Sequence, residues 1–170
     1  MGLFASKKNI YLTGFMGSGK TTIGRLLARK LGWKFLDTDK IVQKHFGKPI
    51  SQIFIEDGEA LFRQAETLVL RTLRTRTKTV VSLGGGVILK DTNREILRSG
   101  YWIFLDVPLS VIKTRVLGDK SRPLLAKRWS TVEALCRKRL PLYQLAPIIV
   151  RLGGLAPNAA CAKVVITLGI

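Results

Sequence analysis

The chain has 170 residues, 46% of them hydrophobic, with 29 Lys and Arg against 11 Asp and Glu for a formal charge of +18. That length suits one domain with its own core and excludes two comfortable ones. No apolar run reaches the roughly 18 residues of a membrane span, the start lacks a secretory h-region, and Cys136 and Cys161 form neither a redox pair nor a zinc knuckle, so composition predicts a soluble, cytoplasmic protein.

Residues 9–13 (NIYLT) read as a short buried strand, followed by a glycine loop. A helix comes next, with Ile23, Leu26, Leu27 and Leu31 at helical spacing and a stop at Gly32. Residues 33–36 give a second strand, which ends in Asp37-Thr38-Asp39. Ile41, Val42, His45 and Phe46 then mark one packed face of a helix closed by Gly47 and Pro49. After a polar turn at residues 56–58 comes a longer helix. Its predicted apolar stripe is Leu61, Phe62, Ala65, Leu68, Val69 and Leu73, which puts Arg63 and Glu66 on a different face.

Residues 79–83 (TVVSL) form a β-branched run into Gly84-Gly85-Gly86, and residues 101–105 (YWIFL) form another buried strand, with Pro108 at a helix start. Residues 118–130 lose the periodicity and read as a mobile lid. A helix over 131–142, a strand over 148–150 and a helix begun by Pro157 complete the chain. Apolar strands alternating with helices predict an α/β fold, a five-stranded parallel sheet with helices on both faces.

Residues 14–21 (GFMGSGKT) match G-x-x-x-x-G-K-[ST] and sit between a strand and a helix, the context that gives this motif its meaning. Chance would produce the pattern in a chain of this size on the order of one time in a hundred. Gly17, Ser18, Gly19, Lys20, Thr21 and Thr22 are therefore the predicted nucleotide loop. Its backbone N–H groups and the following helix N-terminus cradle phosphates, Lys20 reaches the β and γ phosphates, and Thr21 ligates Mg²⁺.

Asp37 and Asp39 stand at the carboxyl end of a strand, where ligands bind in open α/β sheets. Taken alone, Asp39 reads as a helix N-cap. Beside a phosphate cradle, the pair offers one carboxylate for the metal's water shell and one for an acceptor hydroxyl. Arg63 and Glu66 read equally as an i,i+3 surface pair. The three glycines give up conformational entropy on ordering, which points to close backbone approach to a ligand.

Six ordered motifs, GFMGSGKTTIGRLLARKLG, LDTD, DGEALFRQAE, SLGGG, SRPLL and KRLPLY, resemble shikimate kinase from residue 9 to about 151. The resemblance implies a three-layer P-loop kinase fold. It also implies transfer of the γ-phosphoryl group of Mg-ATP to the 3-hydroxyl of shikimate in aromatic amino-acid (chorismate) biosynthesis. It further assigns residues to roles. Lys20, Asp39 and Arg122 are catalytic, and Asp37 and Ser82 support the metal through water beside Thr21. Asp39, Arg63, Gly84, Gly85, Gly86 and Arg139 hold shikimate, and Arg115 and Arg122 serve the nucleotide.

Residues 1–170 then form a single kinase domain with a lid at about 118–130 and a substrate-binding helical segment at about 40–74. The expected protein is a monomer whose partner is shikimate, with no membrane and no specific nucleic acid. Residues 152–157 depart from the family's polar, basic adenine loop, and Leu155 stands where a basic residue is common.

A gluconate-type carbohydrate kinase shares the P-loop but not the triple glycine with its arginine pair. A nucleic-acid-dependent ATPase would exploit the charge, yet each half of the chain carries +9 (15 basic less 6 acidic, then 14 less 5), and residues 80–82 (VVS) lack a Walker B acid.

Overall fold

The computed structural model describes residues 8–116 and 129–170. Five parallel strands form one sheet in the order β2-β3-β1-β4-β5: β1 (Ile10–Thr13), β2 (Lys34–Asp37), β3 (Thr79–Ser82), β4 (Tyr101–Asp106) and β5 (Ile148–Arg151). β1 and β3 are buried along their whole length, which is why they read as continuous apolar or β-branched runs.

Among the described residues eight helices accompany the strands: α1 (Lys20–Leu31), α2 (Thr38–Phe46), α3 (Ile50–Glu56), α4 (Gly58–Arg74), α5 (Asp91–Arg98), α6 (Leu109–Val116), α7 (Trp129–Tyr143) and α8 (Pro157–Leu168). Successive residues of a strand point to opposite faces, and β1 shows where the two helical layers lie. Leu12 lies under Gly24 of α1, which packs against α8. On the other face Tyr11 meets Gly100, just after α5, and Asn9 Nδ2 donates to the Leu73 carbonyl of α4 at 2.9 Å.

Asn9 also accepts from Thr79 N at 3.2 Å, so one buried amide ties β1 to β3 and to the end of α4. Trp102, fully buried, donates to Thr13 Oγ1 at 2.9 Å across the β1–β4 pair. Both polar groups satisfy partners that burial would otherwise leave unpaired. The two cysteines are buried free thiols, whose burial pushes both upward in pKa.

The structure adds elements that periodicity did not reveal. Ile50, Ile53 and Phe54 belong to α3, a seven-residue helix that starts directly after Pro49. A proline that stops one helix is also compatible with the first turn of the next. α5 and a single 3-10 turn at Val87–Leu89 fill the stretch between β3 and β4.

On α4 the apolar stripe is shifted from the predicted one: Phe62 and Leu73 are buried and Ala65 and Val69 half-buried as expected, but Leu61 and Leu68 are exposed, and Glu66, Thr67 and Leu70 join the buried face. Glu66 thus sits on the packed face. His45 is exposed rather than packed, with only an edge contact to Phe46. Val42, Ile53 and Phe62 form a second small core, separate from the one around the sheet, which welds α2, α3 and α4 together. The predicted lid, Arg122 included, lies outside the described residues apart from Trp129 and Ser130, which open α7.

Candidate active site

The loop between β1 and α1 bends through three glycines with positive φ: Gly14 at 150°, Gly17 at 73° and Gly19 at 90°. Only glycine adopts such values cheaply, and a Cβ on Gly14 would fall 2.7 Å from Ser18 Oγ. Ser18 Oγ is buried without a hydrogen-bond partner among the described residues. Lys20 Nζ donates to the Gly14 and Phe15 carbonyls at 2.8 and 2.9 Å, so the lysine head lies over the loop.

The loop opens into a cavity of about 470 Å³ whose walls include Gly17, Gly19, Lys20, Thr21, Thr22, Asp37, Asp39, Ser82, Arg115, Leu155 and Pro157. A positive-φ glycine loop, a helix N-terminus without acidic residues in its first turn, and a lysine together fit a polyphosphate.

β2 and β3 pair in parallel with Asp37 opposite Ser82, and both side chains reach Thr21. Thr21 Oγ1 donates to Asp37 Oδ2 at 2.7 Å and lies 3.4 Å from Ser82 Oγ. This set of oxygen donors suits a hard cation such as Mg²⁺, which is bound by one or two carboxylates together with substrate phosphates. The helix cap proves to be Asp37 and not Asp39: its Oδ1 accepts from Asp39 N at 3.1 Å and from Lys40 N at 3.3 Å. One aspartate therefore starts α2 with one oxygen and holds Thr21 with the other.

Gly84, Gly85 and Gly86 leave β3 directly beside this group, and each faces a different set of functional side chains. A Cβ on Gly84 would collide with Glu66 Oε1 and lie 2.6 Å from Asp39 Oδ1. A Cβ on Gly86 would collide with the Arg63 guanidinium. Gly85 faces α7: its carbonyl accepts from Tyr143 OH at 2.5 Å, and Arg139 Nη1 lies 3.5 Å from it. Gly84 and Gly86 are required first of all because charged side chains crowd them. Gly84 N donates to the buried Thr38 Oγ1 at 3.1 Å, and Thr38 also reaches the Ser82 carbonyl at 3.4 Å, which fixes the loop to α2.

Around the glycines the electrostatics are strongly coupled. Arg63 Nη1 donates to Glu66 Oε2 at 2.5 Å, and its other nitrogens reach Glu59 Oε1 at 3.0 and 3.2 Å. Glu66 is 1% exposed, and its Oε1 has no hydrogen-bond partner among the described residues. Burial, helped by the Asp39 charge and opposed by Arg63 and Arg139, pushes its carboxyl up from 4.5 to about 7. Arg139 Nε is likewise buried without a partner among the described residues. An unsatisfied guanidinium nitrogen beside a glycine loop suits a carboxylate ligand.

Beside the loop, Arg115 bridges two carbonyls at 3.3 Å each, from Nη1 to Gly17 and from Nη2 to Leu155. The loop that departs from the expected adenine segment is thereby tied to the phosphate loop.

The sequence-predicted residues of the described part thus gather at one end of the sheet. Glu66, Thr38 and Tyr143 join them, and sequence reasoning gave none of the three a role. Glu66 follows Arg63 by one helical turn and Tyr143 follows Arg139 by four residues, which are spacings equally common on solvent faces.

A family model for shikimate kinase matches residues 16–168. A shikimate kinase from Microcystis aeruginosa is 46% identical over 142 residues, spanning 82% of this chain and 75% of that protein. The solved structure of a shikimate kinase from Acinetobacter baumannii in complex with shikimate superposes with a TM-score of 0.89 at 37% identity, covering 98% of this chain and 96% of the other. A gluconokinase from Sinorhizobium meliloti, at 17% identity and a TM-score of 0.58, shares the fold. With nine-tenths of its length matched and its site built as described, the chain belongs to the shikimate kinase family.

Proposed function

We propose that this chain transfers the γ-phosphoryl group of Mg-ATP to the 3-hydroxyl of shikimate in the cytoplasm, giving shikimate 3-phosphate and ADP. The observation that carries this reading is the convergence of Asp39, Arg63, Glu66 and Arg139 on three glycines next to a phosphate-binding loop. A cyclic carboxylic acid with several hydroxyls needs such a set: guanidinium groups for its carboxylate and a carboxylate for its hydroxyls.

The roles follow from position. The 3-hydroxyl oxygen bonds to the γ-phosphorus as the bond to the β,γ-bridging oxygen breaks, and ADP departs with that electron pair. Asp39 accepts a hydrogen bond from the attacking hydroxyl, orients it and takes up its proton late in the step, since a loose transition state asks for alignment more than for a strong base. Arg63, steadied by Glu66 and Glu59, and Arg139 bind the shikimate carboxylate.

Lys20 and the loop amides neutralise charge on the phosphates, as does Arg122 on the transferring group. Thr21, Asp37 and Ser82 would hold Mg²⁺, and the ion would supply neutralisation of phosphate charge. α2, α3 and α4, held by their own small core, form the substrate-binding segment of a single kinase domain.

The test is steady-state ADP release from Mg-ATP with and without shikimate, with gluconate and nucleoside monophosphates as parallel acceptors. Shikimate alone is expected to stimulate release, and Asp39→Asn to lower kcat by about 10²-fold or more. Release that ignores shikimate but follows another acceptor overturns the substrate assignment.

A further inference from the structure

Tyr143 takes no part in the roles above, yet its hydroxyl makes one of the shortest hydrogen bonds at the site, 2.5 Å to the Gly85 carbonyl. Its residue is 1% exposed, and its ring stacks on Phe104 of β4 with centroids 5.2 Å apart and planes 10° from parallel. The ring is therefore held by the sheet, and the hydroxyl has one place to go. The same carbonyl has a second suitor, because Arg139, one turn earlier on α7, brings Nη1 to 3.5 Å. At that distance the arginine is at the limit of bonding. Its Nε, also buried, has no acceptor among the described residues.

We propose that Tyr143 is a positioning residue for the acid substrate: by taking the strong bond to the Gly85 carbonyl it keeps the Arg139 contact there long and weak and leaves the guanidinium to bind the substrate carboxylate. The idea rests on the reading of Arg139 as a carboxylate ligand given above.

A buried carbonyl must find a donor, and a buried guanidinium an acceptor. Without the phenol, each supplies the other at the cost of a shift of a few tenths of an ångström, and the arginine is withdrawn from the ligand. With the phenol in place, the strong bond goes to a neutral donor, and the charged donor keeps only a long bond to the carbonyl and an unpartnered Nε until an anion arrives. Burial keeps the phenol protonated, pushing its pKa well above the ordinary value, so it remains a donor throughout the working range. Tyr143 thus acts through Arg139 and not on the reacting atoms.

Tyr143→Phe removes one oxygen and retains the ring, so the stack on Phe104 and the fold are expected to persist. The experiment compares KM for shikimate, KM for ATP and kcat in the unaltered chain, Tyr143→Phe, Arg139→Ala and the double variant, with thermal unfolding of each. Tyr143→Phe is expected to raise KM for shikimate about tenfold, with KM for ATP and kcat changed less than about threefold. In the Arg139→Ala background the same change is expected to have no further effect on KM, the mark of two residues acting as one unit.

Equal loss toward both substrates, or an undiminished effect of Tyr143→Phe without Arg139, overturns the proposal and leaves the kinase reading intact. Failure of shikimate to stimulate ADP release in the unaltered chain overturns both.

Discussion

Arg63 Nη1 donates a hydrogen bond to Glu66 Oε2 at 2.5 Å, and the carboxylate that accepts it is 1% exposed. The pair lies one turn apart on α4 and is turned inward, against Asp39 and Gly84. Exposed i,i+3 pairs are worth a few tenths of a kcal/mol. Removing a partner from a buried one leaves an uncompensated charge, which costs far more.

The first prediction concerns pH. The Glu66 carboxyl has a folded pKa of about 7 against an ordinary 4.5, raised chiefly by burial and then by Asp39. The folded state therefore binds this proton more tightly than the unfolded chain. Its contribution is complete below pH 4.5, declines as pH rises through 7 and is absent above. Linkage puts the decline at about 3 kcal/mol. Glu66→Gln is expected to flatten the stability profile between pH 5 and 8 by about that amount. Urea unfolding at four pH values measures it, and parallel profiles for the two proteins would refute the assignment.

The second concerns Gly86, where a methyl group would collide with the Arg63 guanidinium. Gly86→Ala is expected to raise KM for shikimate at least about tenfold, corresponding to about 1.4 kcal/mol. KM for ATP should stay within about twofold, because the phosphate loop is built by other residues. Steady-state kinetics with each substrate varied in turn decides this, and an equal rise in both constants would count against it.

Asp37 is predicted to separate into two functions. Asp37→Asn keeps an oxygen to cap α2 and loses the charge, and Asp37→Ala loses both. The asparagine variant should unfold within about 0.5 kcal/mol of the original protein, while the alanine variant should lose about 1 kcal/mol, the usual worth of an N-cap. Both should need more Mg²⁺ for half-maximal rate. A magnesium titration beside thermal unfolding checks the split, and an unaltered magnesium requirement in both variants would remove Asp37 from the metal site.

Arg115 spans the Gly17 and Leu155 carbonyls, a task for a planar fork with several donors. Arg115→Ala is expected to raise KM for ATP about tenfold with little change for shikimate. Arg115→Lys should recover less than half of the loss on a logarithmic scale, because a compact ammonium cannot match the fork. Full recovery by lysine would show that charge alone matters there.

The sequence by itself determined the nucleotide half of this protein, because that half is contiguous. Glycines, Lys20 and Thr21 must be adjacent in the chain for the loop to turn and the helix to begin, so the chemistry is written in one eight-residue string. The three inner strands, β1, β3 and β4, were legible for a related reason: a strand buried on both faces has no polar alternation to obscure it.

What only the tertiary structure decided is which distant residues meet. Asp37, Ser82 and Thr21 converge because β2 pairs with β3 in a register that sets Asp37 opposite Ser82, which no local pattern encodes. The apolar residues of α4 span a wider arc than one face, and packing against α2 and α3 buried the part with Phe62 and drew in Glu66, leaving Leu61 and Leu68 exposed. Seven-residue α3 is too short for periodicity to reveal, and it exists because its Ile53 completes that small core. Burial at this cluster, a property of three helices and a glycine loop together, is what turns Glu66 and Tyr143 from ordinary helix residues into parts of the site.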